Sequence, residues 1–510
     1  MKTRNLFKRF IISRYFLLLV LLLLELVVLF LPHYILIGNE IYYLVISIVN
    51  IAFIVYIINT KKNPHYKLAW ITIIAITPGV GAFIYLMFAD KKIPKNLRTE
   101  FFENSISVKG LITQNQKYVK NIKDNNVKQQ LDYVSNNAYY PYYQNSRVKY
   151  YKLGEELFAD LFKDIKKAKH FVFLEFFIIK DGELLEELLK LLEQKVKEGV
   201  EIYFMYDDAG TIASEPKNLV GRLTDIGVNV TVFSPLSPLM VLTARSNSRD
   251  HRKICVIDNK VAYTGGVNVA DEYVNKKELY GHWKDTGIKV EGEAVRTFTV
   301  SFIQFFNVYS KKHLVYENYL LKTTNIKSNS FVLPFSDSPS DKEITGKTVH
   351  YNMVTKAERY IYIQTPYLVI DDVMQNALCT ASKSGVEIII TVPHIPDKKT
   401  VFMVTRSNYY KLLKAGVRIF EYTPGFVHSK LWVSDDKIAL EGTINSDFRS
   451  YYLNYEYGVI VANDPEVLKM KKDYLDTLKV SKEISLEEEK KVKLIVRIAR
   501  AIMNVFAPLL

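Results

Sequence analysis

The feature that most constrains this chain is that much of it is written twice. Ala168–Ile178 (AKHFVFLEFFI) and Ala357–Tyr367 (AERYIYIQTPY) share one pattern, and each follows a helix-like segment with strand-like composition. A second helical stretch in each half stops at Gly-Val-Glu-Ile, at Gly199–Ile202 and at Gly385–Ile388. There the glycine ends a helix and the next apolar residues begin a strand. The same order recurs at Gly227-Val228 and Gly416-Val417. Alternating helices and strands predict an α/β fold, with a sheet covered by helices in each half. Two similar halves imply a pseudo-twofold arrangement with a site between them.

The chemistry-bearing motifs lie in register with this repeat. His251-Arg-Lys253 runs through an apolar stretch to Asp258 and then to Gly265-Gly266-Val-Asn268. His428-Ser-Lys430 runs in the same way to Asp435 and Gly442-Thr443-Ile-Asn445. Residues at i and i+2 on a strand share a face, so each His and Lys can address one phosphate. One such pair is common decoration of an exposed strand, but two copies in register are not. Asp258-Asn and Asp435-Asp read as hairpin corners, where a structural ion pair competes with a catalytic part for the aspartate. Asn268 and Asn445 are candidate amide donors to the phosphate. Asp285, in Trp283-Lys-Asp285-Thr-Gly, mirrors Glu456, in Tyr455-Glu456-Tyr-Gly. Each acid is a candidate to take an imidazole N–H and fix its tautomer, although a surface lysine would pair with it equally simply. No dense Asp/Glu/His cluster accompanies either motif, so neither a metal nor another cofactor is expected. Cys255 and Cys379 fit no metal site or disulfide framework and read as reduced and buried.

The amino-terminal region is different in kind. Phe10–Leu31, Ile41–Asn59 and Leu68–Ala89 are apolar runs, each long enough for a span of roughly 20 residues. They predict an α-helical, multi-pass membrane anchor over residues 1–96. Lys2, Arg4, Lys8 and Arg9 favour a cytoplasmic amino terminus, while Lys91, Lys92, Lys95 and Arg98 favour the same side after the third run. Three full spans would put those two clusters on opposite sides. One run is therefore a candidate for re-entry, and Pro78-Gly-Val-Gly81 marks the third. With such a re-entrant run the catalytic part is expected at the cytoplasmic face of the cell membrane; with three full spans it would lie on the other side. With a membrane surface close by, the net charge of +14 is better explained by anionic lipid than by nucleic acid. Residues 97–145 read as a connecting segment near the membrane or a plain linker, 146–330 as the first catalytic half and 331–510 as the second.

These features resemble the paired HxKxxxxD motifs of the phospholipase D superfamily, and residues 60–510 resemble bacterial cardiolipin synthases. The resemblance includes Asn63-Pro64 with Leu68-Ala-Trp70, Leu153-Gly154, Gln364-Thr-Pro-Tyr367 and Ala507-Pro-Leu-Leu510. The leading apolar run is a departure from the usual two membrane helices. The resemblance implies catalytic His251, Lys253, Asp258, His428, Lys430 and Asp435, with a phosphatidyl group passing between two molecules of phosphatidylglycerol through a phosphohistidine. It also implies His251 as nucleophile and His428 as acid and base, a choice the near-symmetric motifs leave open. A hydrolase releasing phosphatidic acid is the leading rival. A phosphatidylserine synthase-like transferase, a membrane-bound nuclease and a non-catalytic lipid-binding scaffold are further ones.

Two segments carry expectations about lipid access. Phe233–Leu242 is a candidate wall of the lipid path, or a loop packed into its own core. From Val492 onward, apolar residues at Val492, Ile495, Val496, Ala499, Ile502, Met503 and Phe506 share a helical face, with Lys490, Lys493, Arg497 and Arg500 on another. This predicts an amphipathic terminal helix lying on an anionic membrane, or capping the second half.

Overall fold

The computed structural model describes residues 39–89, 108, 110–212, 216, 218–235, 247–341 and 343–509. Two compact units emerge. The smaller holds helices α1 (Asn39–Ile58), α2 (Pro64–Ile76) and α3 (Val80–Phe88) and the turn Ala507–Leu509. The predicted third run is thus two short helices rather than one span. Pro78 removes a donor, and Gly79 takes a left-handed φ of 88° that ends the first helix and starts the second. The freed amide is satisfied, because Gly79 N–H donates to Asn50 Oδ1 at 3.2 Å. Gly81 lets the two helices close up, since a Cβ there would lie 2.7 Å from Ile74 Cα. Ile57, Tyr66, Trp70 and Ile74 form the core of this unit, with Leu509 packed on it. Among the described residues no helix is long and apolar enough to cross a membrane. The run Phe10–Leu31 lies outside the described residues.

The larger unit holds both repeats. In the first, β1 (Ser146–Tyr151), β2 (Phe171–Phe176), β3 (Glu201–Asp207), β4 (Asn229–Phe233), β5 (Ile254–Ile257), β6 (Val261–Gly265), β7 (His282–Lys284) and β8 (Gly287–Gly292) follow in chain order. All but β7 form a seven-stranded sheet in the order β1-β8-β6-β5-β2-β3-β4. The second repeat supplies β9 (Phe331–Asp337), β10 (Tyr360–Gln364), β11 (Leu368–Val369), β12 (Glu387–Pro393), β13 (Arg418–Tyr422), β14 (Gly425–Val427), β15 (Leu431–Ser434), β16 (Ile438–Gly442), β17 (Ser446–Asp447), β18 (Glu456–Ala462) and β19 (Ser481–Ile484). Its main sheet runs β19-β13-β12-β10-β15-β16-β18-β9, the same order with one strand added at the far edge. The parallel and antiparallel pattern repeats too. β2 pairs β3 in parallel and β5 antiparallel, as β10 pairs β12 and β15.

Helices cover the sheets because their apolar stripes must be buried. α4 (Gly154–Lys166) and α5 (Glu183–Lys197) present Leu157, Leu161, Leu185, Leu188 and Leu192 to the first core. α6 (Val295–Tyr309) is buried on nearly all sides, and its Phe302 stacks on Phe173 at 4.4 Å. α7 (Thr345–Lys356), α8 (Asp372–Lys383) and α9 (Phe448–Tyr452) lie in the second repeat, with α10 (Pro465–Leu478) beyond. The expected connecting segment takes part in this packing. Tyr118, Ile122, Val127, Leu131 and Tyr142 belong to the second core, and Tyr143 pairs with Val332. Tyr118, Tyr142 and Tyr143 therefore serve as core, while Tyr139 stays exposed.

The terminal helix α11 spans Leu494–Val505 and exposes Leu494, Ile495, Val496, Ile498 and Ile502. Arg500 departs from the expected basic face. It is buried and pairs with Glu489 at 2.8 Å. Of the candidate access wall, Leu236–Leu242 lies outside the described residues. Phe233 is core, stacked on Phe305 at 5.4 Å. Both cysteines are free and buried.

Candidate active site

The two His-x-Lys segments lie in extended chain just ahead of β5 and β15, so neither pair sits within a strand as the spacing predicted. Each is held by the opposite repeat. His251 N–H donates to Tyr455 O at 3.0 Å, and Tyr455 N–H donates to Arg249 O at 2.8 Å. In the second repeat β14 pairs in parallel with β7, and His428 N–H donates to Lys284 O at 2.7 Å. The residue following each cross-pairing strand position is an acid. The acids are therefore exchanged: His251 Nδ1 lies 2.9 Å from Glu456 Oε2, and His428 Nδ1 lies 2.6 Å from Asp285 Oδ2. The mirrored acids were visible in the sequence, but their exchange between halves was not, because it depends on pairing between the repeats.

Both imidazoles thus point their other nitrogen, Nε2, away from the acid. Lys253 Nζ donates to His251 O at 2.6 Å, and Lys430 Nζ donates to His428 O. Lys430 Nζ also lies 2.8 Å from His428 Nδ1, which can serve only one partner as donor or acceptor. The shorter contact to a carboxylate oxygen places the proton on Nδ1, donated to Asp285.

Burial and positive neighbours set the charge states. Burial, then Lys253 and Lys430, hold the His251 imidazole well below its ordinary value. Burial and Lys430 bring His428 down to about 4 against the opposing pull of Asp285. The two ammonium groups are destabilised as well, Lys253 to about 7 and Lys430 to about 8, chiefly by burial. The acids differ. Burial pushes Glu456 up to about 7, whereas His428 and Lys430 overcome burial and keep Asp285 below the usual carboxylate range.

A one-residue difference between the repeats surrounds that contrast. Thr443 Oγ1 donates to Glu456 Oε2, and Asn454 Nδ2 donates to Oε1 at 3.1 Å. Gly266 stands where the second repeat has Thr443, and a Cβ there would lie 2.0 Å from Asp285 Oδ1. Asp285 instead accepts from Thr286 N–H at 3.0 Å, while Thr286 Oγ1 contacts Ser429 Oγ at 2.6 Å and Glu441 Oε1 at 2.9 Å.

The two motif aspartates do not join the histidines. Asp258 accepts from the amides of Lys169, His170 and Phe171 at 2.8–2.9 Å. Asp435 does the same for Glu358, Arg359 and Tyr360 at 2.7–2.9 Å. Both sit in left-handed turns, with φ of 52° and 57°, and tie the hairpin corner to the start of the neighbouring strand. Both carboxylates are spent on backbone amides, which fits the corner role the sequence also offered for them. Asn268 Oδ1 accepts from Ile178 N–H at 3.0 Å, which turns the amide over toward its buried NH₂. That Nδ2 and Asn445 Oδ1 are buried with no hydrogen-bond partner among the described residues.

Several contributors had no signal in the motifs. Arg252 pairs with Glu175 at 2.5 Å and stacks over Phe305 at 3.8 Å. Asp207 accepts from Asp250 N–H at 2.9 Å. Tyr273 meets the His428 ring edge-on at 5.3 Å, and Phe177 meets His251 at 5.1 Å. Alternation along the extended chain could have suggested Arg252, which must face opposite to its two neighbours. Among the described residues no group of three or more His, Cys, Asp or Glu side chains is placed to hold a metal ion.

A duplicated α/β sheet whose halves exchange acids between paired His-x-Lys segments is the architecture of the phospholipase D superfamily. The sequence matches the family described as cardiolipin synthase, PLD-like domain, over residues 161–300 and 351–478, and a phospholipase D-nuclease N-terminal family over residues 48–89. A cardiolipin synthase of Alkalihalophilus pseudofirmus is 33% identical over 469 residues, covering 91% of this chain and 92% of that one. A cardiolipin synthase of Staphylococcus aureus is 32% identical over 476 residues, covering 91% and 95%. The crystal structure of a phosphatidylserine synthase from Haemophilus influenzae shares the fold, with a TM-score of 0.56 at 15% identity over 75% of this chain and 98% of that one. The chain belongs to the cardiolipin synthase family, and as a member of it is an enzyme, a phosphatidyltransferase.

Proposed function

We propose that this enzyme makes cardiolipin by moving a phosphatidyl group from one phosphatidylglycerol to another, with glycerol released. The observation that carries the reading is the pair of exchanged histidine–acid contacts, each beside a buried lysine, in a chain of this family. The anionic phosphodiester repels a nucleophile, and Lys253 and Lys430 offset that charge without a metal. Asn268 and Asn445 are the proposed amide contacts to the same phosphate. The apolar amino-terminal helices and the exposed apolar face of α11 are the proposed membrane contacts, on the cytoplasmic side.

His251 Nε2 attacks phosphorus as a neutral imidazole, the P–O bond to glycerol breaks, and His428 Nε2–H gives the leaving oxygen its proton. In the second step the free hydroxyl of the acceptor lipid attacks phosphorus. The P–N bond breaks, and the hydroxyl proton passes to His428 Nε2. The two acids support this division of labour. Asp285 remains ionised and supports an imidazolium at His428, whereas Glu456 is raised to about 7 and shares its charge with Thr443 and Asn454. In the free site His428 is held near 4, with Lys430 the largest charge acting against its protonation. An arriving phosphate neutralises that field, so substrate binding itself charges the acid.

The test is product analysis with purified enzyme in phosphatidylglycerol micelles and excess chelator. Cardiolipin and free glycerol in equal amounts are expected, with the covalent phosphate on His251. Phosphatidic acid as the sole product would make the enzyme a hydrolase. A trapped phosphohistidine at position 428 would reverse the two roles, and activity restored only by a divalent ion would end the metal-free account.

A further inference from the structure

Transfer between two phosphatidylglycerol molecules brings two phosphodiester anions to one site, and Lys253 with Lys430 accounts for only the one under attack. The repeats, so alike elsewhere, differ in where further cations stand. Arg449 lies four residues beyond Asn445, and the same step beyond Asn268 reaches Glu272, which is itself paired with Lys180. Lys398 lies five residues beyond the end of β12, and the same step beyond the matched strand β3 reaches Ile212. The second repeat alone therefore carries extra positive charge at these positions.

Both residues sit on segments that border the second motif, since Leu368, next to Tyr367, pairs with Ser446, next to Asn445. Arg449 O accepts from Asn454 N–H at 3.0 Å, and Asn454 Nδ2 donates to Glu456, the acid that holds His251. Arg449 also starts the turn after Asp447, whose carboxylate caps α9 by accepting from Ser450 N–H at 2.7 Å. Lys398 Nζ lies 5.4 Å from the centre of the Tyr367 ring, whose hydroxyl donates to Asp397 Oδ2 at 2.5 Å. After burial and the two motif lysines, Arg449 and Lys398 are the next charges that keep His251 neutral, and both also act on Asp447.

We propose that Lys398 and Arg449 form an anion subsite for the phosphodiester of the acceptor lipid, holding its free glycerol hydroxyl toward the phosphohistidine. The inference rests on the transfer reaction proposed above and adds how the enzyme chooses its acceptor. A neutral alcohol or water gains nothing from these cations, whereas an anionic glycerol lipid gains a charge-assisted contact from each. The asymmetry also gives the pseudo-symmetric site a direction, with the acceptor bound from the second repeat.

The experiment gives the intact enzyme a choice of acceptor. Phosphatidylglycerol micelles are supplied with a fixed concentration of ethanol, and cardiolipin is measured against phosphatidylethanol. Lys398→Ala and Arg449→Ala should each lower that ratio by about tenfold, the scale of one charged contact, with Arg449→Lys recovering most of it. An unchanged ratio in Lys398→Ala, or a proportional loss of both products, would overturn the subsite. Lys398 is exposed, so misfolding is no explanation for its outcome. Failure of the unsubstituted enzyme to form either product would instead remove the transfer reaction, and this inference with it.

Discussion

Gly266 shows how closely single residues set this site. Its backbone φ is ordinary, so strain is not the reason for glycine; the reason is space, because a Cβ would press on Asp285 Oδ1 at 2.0 Å. Gly266→Ala should displace Asp285 from His428 and lower kcat by about a hundredfold, the scale of a misplaced catalytic group. Circular dichroism and the thermal midpoint should change little. Normal turnover in that variant would mean that the 2.6 Å contact does not orient the acid. A second expectation concerns pH. Lys253 and Lys430, lowered to about 7 and about 8, are charged below those values and lose their charge as pH rises through them. The kcat/KM profile should therefore fall on its alkaline side between about pH 7 and 8, as apparent values of the whole cluster. A bound phosphate restores charge to the lysines, so the alkaline limb of kcat should lie higher. Coincident limbs would deny the lysines their contact with phosphate.

At the scale of elements, the repeat made the fold legible. Two copies of strand, helix, glycine stop and strand predicted matched sheets, and the observed strand orders repeat accordingly. The His, Lys and mirrored acid positions that the fold brings together were also visible, because local spacing and duplication both marked them. What spacing could not reveal is any contact made between repeats, since nothing local distinguishes an acid serving its own histidine from one serving the other. The partners of the corner aspartates were hidden for a related reason. Asp258 lies seven positions beyond His251, and that distance is spanned by β5, which carries the carboxylate to the far end of the strand. Asp258→Ala should therefore behave as a stability variant. Losing three amide contacts to a charged acceptor should cost on the order of 3 kcal/mol, seen as a lower thermal midpoint. The kcat of the folded fraction should stay within a few-fold of the original. A normal midpoint with abolished turnover would return Asp258 to the chemistry. The Arg500–Glu489 pair was hidden similarly, because helical spacing places Arg500 on a basic face but cannot show an acid folded back upon it.

For the whole molecule, the exchange of acids means that neither repeat holds a finished histidine–acid pair. The first contributes His251 and Asp285, the second His428 and Glu456, and both pairs are completed within one compact unit of one chain. The joining strands are themselves shared, β14 with β7 and Asp250 with Tyr455, so separating the repeats would expose backbone groups on both sides. This arrangement predicts how two inactive enzymes behave together. His251→Ala and His428→Ala each retain one good histidine, and if sites formed between copies, mixing them would assemble some sites with both. Because each chain closes its own site, an equimolar mixture should show no more cardiolipin synthesis than the sum of its parts. The mixture should be tested both after co-expression and after reconstitution into shared vesicles, so that any exchange during folding is included. Recovery toward a quarter of normal activity, the value expected from random pairing of exchanged repeats, would show that the repeats pass between copies. The site would then belong to an assembly rather than to the single chain.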